Sequence, residues 1–190
     1  VNGYIEASSE GHLTTKALFS TNEETEAEIF LDKEFEVEVN LSVGGEEAEG
    51  RAIISFVSDK ISRTISLPEV SKVKLAEGLY DISVFVYGNS SIVIPASTKR
   101  ECSKVATGGV LGFFGLGGTK EQCYNVELPE TKIDFALVGG GKSSSILTTR
   151  ELERGVVKLK VESLSKPNNL EELAANYEQF EKNLVEVDYG

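Results

Sequence analysis

Lys142 and Ser143 close the run ALVGGGKS, which starts at Ala136 and matches the permissive pattern of a phosphate-binding loop. That chemistry asks for backbone N–H groups on a glycine-rich loop, a lysine for the terminal phosphates and a hydroxyl for magnesium. It also asks for a helix directly after the loop and an acidic metal partner on a second strand. After Lys142, however, the chain reads SSSILTTRELERG, Ser-rich and β-branched, and this segment stops at Gly155. The next segment, VVKLKVE, alternates as an antiparallel strand does. The run is therefore expected to be a flexible hairpin or loop with a solvent-facing Lys142. Nucleotide binding through residues 136–143 is the alternative reading.

The other reactive side chains are few. His12 is the one histidine, which excludes histidine-rich metal sites and leaves one base for any triad. In SSEGHLTT it reads as a surface residue beside a strand. Cys102 and Cys123 are the only cysteines. A single pair flanking one loop fits a structural disulfide in an oxidising compartment. A Cys–His dyad would need long-range folding. Glu23, Glu24, Glu26 and Glu28 are expected on a solvated strand edge. Glu46, Glu47 and Glu49 in GGEEAEG offer oxygen ligands to calcium, though without the Asp/Asn spacing of a defined loop. No catalytic, cofactor-binding or metal-ligating residue is assigned, and the chain is expected to act by binding and not as an enzyme.

Between the cysteines lies GGVLGFFGLGG, residues 108–118, apolar and uncharged. Lys99, Arg100, Glu101 and Lys104 precede it, and Lys120 and Glu121 come after it. Charge at the base and none at the tip suits a probe that enters something apolar. The partner-contact residues are then Val110, Leu111, Phe113, Phe114 and Leu116, because exposed apolar patches mark contact sites. A loop folded back into the core is the competing reading. With 19 basic and 31 acidic residues the formal charge is −12. That field repels nucleic acid and anionic membrane surfaces. A neighbouring copy of the chain is therefore the expected partner, with a membrane-inserting module as the alternative for residues 108–118.

These residues must be positioned by strands. EFEVEVNLSV alternates Phe35, Val37, Val39, Leu41 and Val43 with polar neighbours, the period of a half-buried strand. GGEEAEG then reads as a turn and RAIISFV as the hairpin partner. RTISL, KVKL, YNVEL, KIDFALV, SILTT and VVKLKVE continue the pattern, and Gly88–Asn89 suit a tight turn between strands at Leu79–Tyr87 and Ile92–Ile94. Regular short strands separated by turn residues predict a mostly β chain, an antiparallel β-sandwich. NNLEELAANYEQFEKNL breaks the rule. Leu170, Leu173, Tyr177, Phe180 and Leu184 fall at helical spacing, with Asn169 and Glu172 placed as a capping box. Pro167 marks a linker. The expected organisation is a sandwich over 1–166, with the cysteine-closed loop 102–123, and a C-terminal amphipathic helix and short final strand over 167–190 packed on it.

KLAEGLYDISVFVYGNSS resembles the strand that a Gly-x-Tyr step opens in prealbumin-like and Ig-like modules of envelope proteins. From Gly78 onward, with the cysteine loop and LEELAANYEQFEKNLVEV, the chain is similar to surface proteins of archaea. The resemblance implies a β-sandwich on a cell surface. The sequons at Asn40 (NLS) and Asn89 (NSS) would carry N-linked glycans in a secreted chain. The start at Val1 and the lack of methionine are expected from removal of a signal segment or from trimming. Together these features predict an extracellular or envelope glycoprotein that self-assembles, for instance into a filament.

Overall fold

The computed structural model describes residues 2–20, 22, 26–48, 50–107 and 118–190. Two compact units emerge: residues 1–90 with 135–190, and residues 91–134. The C-terminal helix and final strand belong to the first unit. The fold is mostly β, as the alternating sequence requires.

In the first unit, β3 (Glu34–Val43) has Phe35, Val37, Val39 and Leu41 buried, while Glu36, Glu38 and Asn40 are exposed. It pairs antiparallel with β4 (Glu46–Glu47) and β7 (Lys72–Ala76). It also pairs parallel with β12 (Val156–Val161), which carries β13 (Glu186–Tyr189) on its other edge. A second sheet runs β11 (Thr131–Leu147), β8 (Gly78–Ile94), β5 (Arg51–Val57) and β6 (Ser62–Leu67). One core draws on both sheets: Val37, Leu75 and Val157 from the first, Ile54, Phe56, Ile82 and Val84 from the second. Each is fully or almost fully buried. The architecture is the expected sandwich.

Two sequence expectations fail here, and a third holds on one strand edge only. RAIISFV (β5) is not the hairpin partner of β3; it lies in the other sheet, between β6 and β8. The two-residue β4 serves as β3's hairpin partner across Gly44 and Gly45, both at positive φ. VVKLKVE (β12) is antiparallel to β13, as its alternation suggests, but parallel to β3, and it alternates because one face of the sheet stays wet. Gly88–Asn89 make no turn, since β8 runs on through them to Ile94. Gly88 instead gives room to Val138, whose methyl groups would stand 3.2 Å from an added Cβ.

At the start of β8, Tyr80 is almost fully buried; its hydroxyl donates to Ala76 O at 2.9 Å and accepts from Ala76 N at 3.2 Å. A tyrosine bonded back to backbone just upstream is the corner device of Greek-key sandwiches. Burial pushes its phenol above the usual range.

Helix α1 (Thr149–Leu152) comes after β11, and Thr148 with Glu151 forms a full capping box. Helix α2 (Leu170–Phe180) is capped by Asn169, whose Oδ1 accepts from Glu172 N at 2.8 Å. The Glu172 carboxylate reaches back to Asn168 N, one residue earlier than a standard box. The apolar stripe predicted for this helix is corrected. Asn176 and Phe180 are buried, while Leu170, Tyr177 and Leu184 are exposed. Asn176 is held there because its Nδ2 donates to Leu137 O at 2.7 Å and Ser165 O at 2.8 Å. Phe180 stacks on Phe85 with ring centroids 4.3 Å apart.

Candidate functional site

The unit over 91–134 is built around an antiparallel ribbon, β9 (Ser97–Thr107) with β10 (Gly118–Leu128). Cys102 lies directly opposite Cys123, with sulfurs at bonding distance, 2.11 Å, and Cα atoms 4.0 Å apart. The expected disulfide therefore ties the two strands of the ribbon. Partners in the register alternate between two faces. Cys102, Cys123, Arg100, Asn125, Lys104 and Glu121 share one. The opposite face presents Val105, Tyr124, Val126 and Leu128, among Lys99, Glu101 and Lys120. Its apolar groups stand in solvent: Tyr124 is 54% exposed, Leu128 47% and Val105 42%. Lys99 pairs with Glu101 across 3.1 Å on the same face.

The predicted contact residues Val110, Leu111, Phe113, Phe114 and Leu116 lie outside the described residues. The apolar face of the ribbon itself was not anticipated, although Tyr124, Val126 and Leu128 carry a visible period of two.

Residues 136–143 are corrected most sharply. They are the middle of β11, neither a hairpin nor a loop, and the strand continues to Leu147 with no helix at Ser143. Each glycine answers to a close neighbour. An added Cβ at Gly140 (φ +127°) would meet Val84 O, and at Gly141 would lie 2.6 Å from Asn183 O. The backbone N–H of Lys142 is spent on Asn183 O at 3.0 Å. Its Nζ faces solvent, as expected, in an exposed pair with both Glu181 oxygens, at 2.7 and 2.8 Å. The geometry of a phosphate loop is absent from this segment. Ser143 Oγ is enclosed without a hydrogen-bond partner.

His12 sits next to Leu13 at the rim of a cleft of about 630 Å³ and uses Nδ1 on Glu10 O at 2.9 Å. Lys60 and Arg63 line the same cleft but are paired with Asp32 (2.8 Å) and Glu34 (3.1 Å). The Asp32 hydrogen bond raises the Lys60 amine above its usual range. Glu26 and Glu28 are exposed on an irregular segment, not on a strand edge; Glu23 and Glu24 lie outside the described residues. Glu46 and Glu47 form the exposed strand β4, while Glu49 is outside the described residues. Among the described residues, the one cluster of three metal-donor side chains is Cys102, Glu121 and Cys123, whose sulfurs are bonded to each other. Asn40 and Asn89 are both exposed on strands, β3 and β8. No helix among the described residues is long and apolar enough to cross a membrane.

Compared with protein-family models, curated proteins and solved structures, the chain has no match. Its function must be argued from its own surfaces, among them the ribbon tied by Cys102–Cys123.

Proposed function

We propose that this protein is a non-enzymatic subunit of an extracellular or envelope structure, acting by protein contact through the disulfide-tied ribbon and assembling with copies of itself. The observation that carries the reading is a two-stranded ribbon wet on both faces whose connecting segment reads GGVLGFFGLGG. A ribbon of two strands is marginal alone in water, and an apolar tip adds to the cost of leaving it without a partner. Burying Phe113 and Phe114 would contribute about 1.5–3 kcal/mol each. The disulfide supports an oxidising compartment. The resemblance of GLYDISVFVYGNSS to surface modules, and the exposure of Asn40 and Asn89 as glycan acceptors, fit the same location. The cysteines are bonded to each other, Lys142 is paired with Glu181, and His12 bonds a backbone carbonyl through Nδ1.

Size-exclusion chromatography with light scattering, run over a concentration series, tests the proposal. The native protein is expected to self-associate, and Phe113→Ser with Phe114→Ser to leave a folded monomer. A native protein that stays monomeric at every concentration overturns it. Co-flotation of that monomer with liposomes would assign the tip to membranes instead.

A further inference from the structure

The outer face of the second sheet is covered in part. Phe85 of β8 stacks on Phe180 of α2, and Tyr87 shares a hydrogen bond with Tyr177 of that helix. Beside this contact Arg51, Ile53, Ser66, Glu69, Tyr87 and Phe135 line an open groove of about 390 Å³, all within the first unit. The register puts Arg51 opposite Tyr87 and Ile53 opposite Ser66, so the strands present these four on one face.

The lining combines three chemistries. Phe135 is 45% exposed and Ile53 40%, which leaves aromatic and aliphatic surface in solvent. The Arg51 guanidinium lies 5.0 Å from the Phe135 ring centroid, and no carboxylate among the described residues pairs with it. Glu69 accepts from Ser66 Oγ at 3.2 Å through Oε2, and Oε1 is left to accept another bond. The ribbon of β1 (Asn2–Ala7) and β2 (Thr15–Ser20) differs. It exposes Tyr4 and Leu18, but its charges, Glu6 and Lys16, bond each other at 3.0 Å. The groove brings apolar surface, open donors and an open acceptor together.

We propose that this groove binds a neutral saccharide through one pyranose ring. The C–H face of such a ring packs against the exposed parts of Phe135 and Ile53. Its hydroxyls accept from the Arg51 N–H groups and donate to Glu69 Oε1. An apolar peptide would cover the same surface yet leave Arg51 and Glu69 without partners, which is costly. Charge selects a neutral ligand: Arg51 offsets Glu69 within the groove, and a chain of charge −12 repels anions. The volume falls in the range of small-molecule sites, about 300–1,000 Å³. Sugar binding here is independent of self-assembly and gives the first unit a contact of its own.

Saturation-transfer NMR with the methyl glycosides of glucose, galactose, mannose and N-acetylglucosamine tests it. The protein is produced without N-glycans, because Asn89 lies two positions from Tyr87 on β8. At least one glycoside should bind in the millimolar range, with transfer strongest to the C–H protons of one ring face. Phe135→Ala and Glu69→Ala fall at exposed positions and should leave the melting temperature unchanged. Each should weaken that binding about tenfold. Methyl glucuronide should bind more weakly than methyl glucoside. No binding by any of the four glycosides overturns the proposal, and so does binding that both variants retain. A glucuronide that binds more tightly than its glucoside overturns the neutrality of the ligand. If no glycoside binds and Phe135→Ala instead lowers self-association, the groove receives protein. Sugar binding and self-association are read separately, so either can fail alone.

Discussion

The sandwich and the β9–β10 ribbon use the same sequence device to opposite ends. In β5, in β3 from Phe35 to Leu41 and in β8 from Tyr80 to Val86, every second residue is apolar and is buried against another layer, as Val37, Ile54 and Ile82 are. In β10 the same period places Tyr124, Val126 and Leu128 on one face, yet Tyr124 and Leu128 remain about half exposed. Alternation specifies a face; a second layer must exist before that face becomes core. The ribbon's strands are held by Cys102–Cys123, whereas the sandwich's are held by burial.

Glycine sharpens the contrast most. Gly140→Ala would drive a Cβ into Val84 O at a backbone angle that L-residues avoid, and should cost about 4 kcal/mol or more, read by urea denaturation. Gly45→Ala, also at positive φ but with open space around it, should cost only about 1–2 kcal/mol. Equal costs would show that φ alone, and not the close strand, explains Gly140.

Next comes the pair Ile54→Ala and Tyr124→Ser. The first empties a fully buried site and should lose about 2–5 kcal/mol. The second should change stability by less than about 0.5 kcal/mol. A large loss from Tyr124→Ser would mean that the ribbon face is part of the folding core.

Much of this division was legible in the sequence. EFEVEVNLSV reads as a strand because one face is wet and the other dry. Which strands are neighbours was not legible, because pairing depends on the sheet each strand joins; β5 has antiparallel neighbours, but they are β6 and β8 and not β3, and β12 alternates although one of its two neighbours, β3, is parallel. GGG at 139–141 was ambiguous for a physical reason. Glycine serves a turn or a close backbone approach equally well, and here Val84 and Asn183 demand the second. In α2 the apolar count missed Asn176, because an amide bonded to two carbonyls can occupy a buried position. The ribbon's apolar face was visible in YNVEL; whether it is covered cannot be read from one strand.

Reduction should separate the regions by a smaller margin. Cleaving Cys102–Cys123 relaxes a loop worth about 3 kcal/mol in chain entropy. Hydrogen exchange should accelerate at amides of β9 and β10, while those of β5 and β8 up to Tyr87 keep their protection. Uniform acceleration would show that the two regions unfold together.

The smallest effect concerns acid. Hydrogen bonds from the Thr148 hydroxyl and backbone hold the Glu151 carboxyl below its usual range. A depressed carboxylate stabilises the fold above its ordinary value, near 4.5, and that contribution disappears as pH falls through the lower folded value. Glu151→Gln should therefore flatten the stability of the sandwich slightly as pH falls below about 4.5, and leave ribbon exchange unchanged. An unaltered acid limb would show that the capping box adds nothing measurable.

The parallel seam between β3 and β12 has a consequence in time. Val39 meets Val157, a partner 118 positions later, and the second unit falls inside that interval. So long a closure is slow, in the millisecond-to-second range typical of β topologies rich in non-local pairs. During synthesis the wait is longer still, since the seam cannot form before Val161 has left the ribosome. Through that interval the EFEVEVNLSV strand has its apolar side unprotected, and its glutamates act as gatekeepers against premature association.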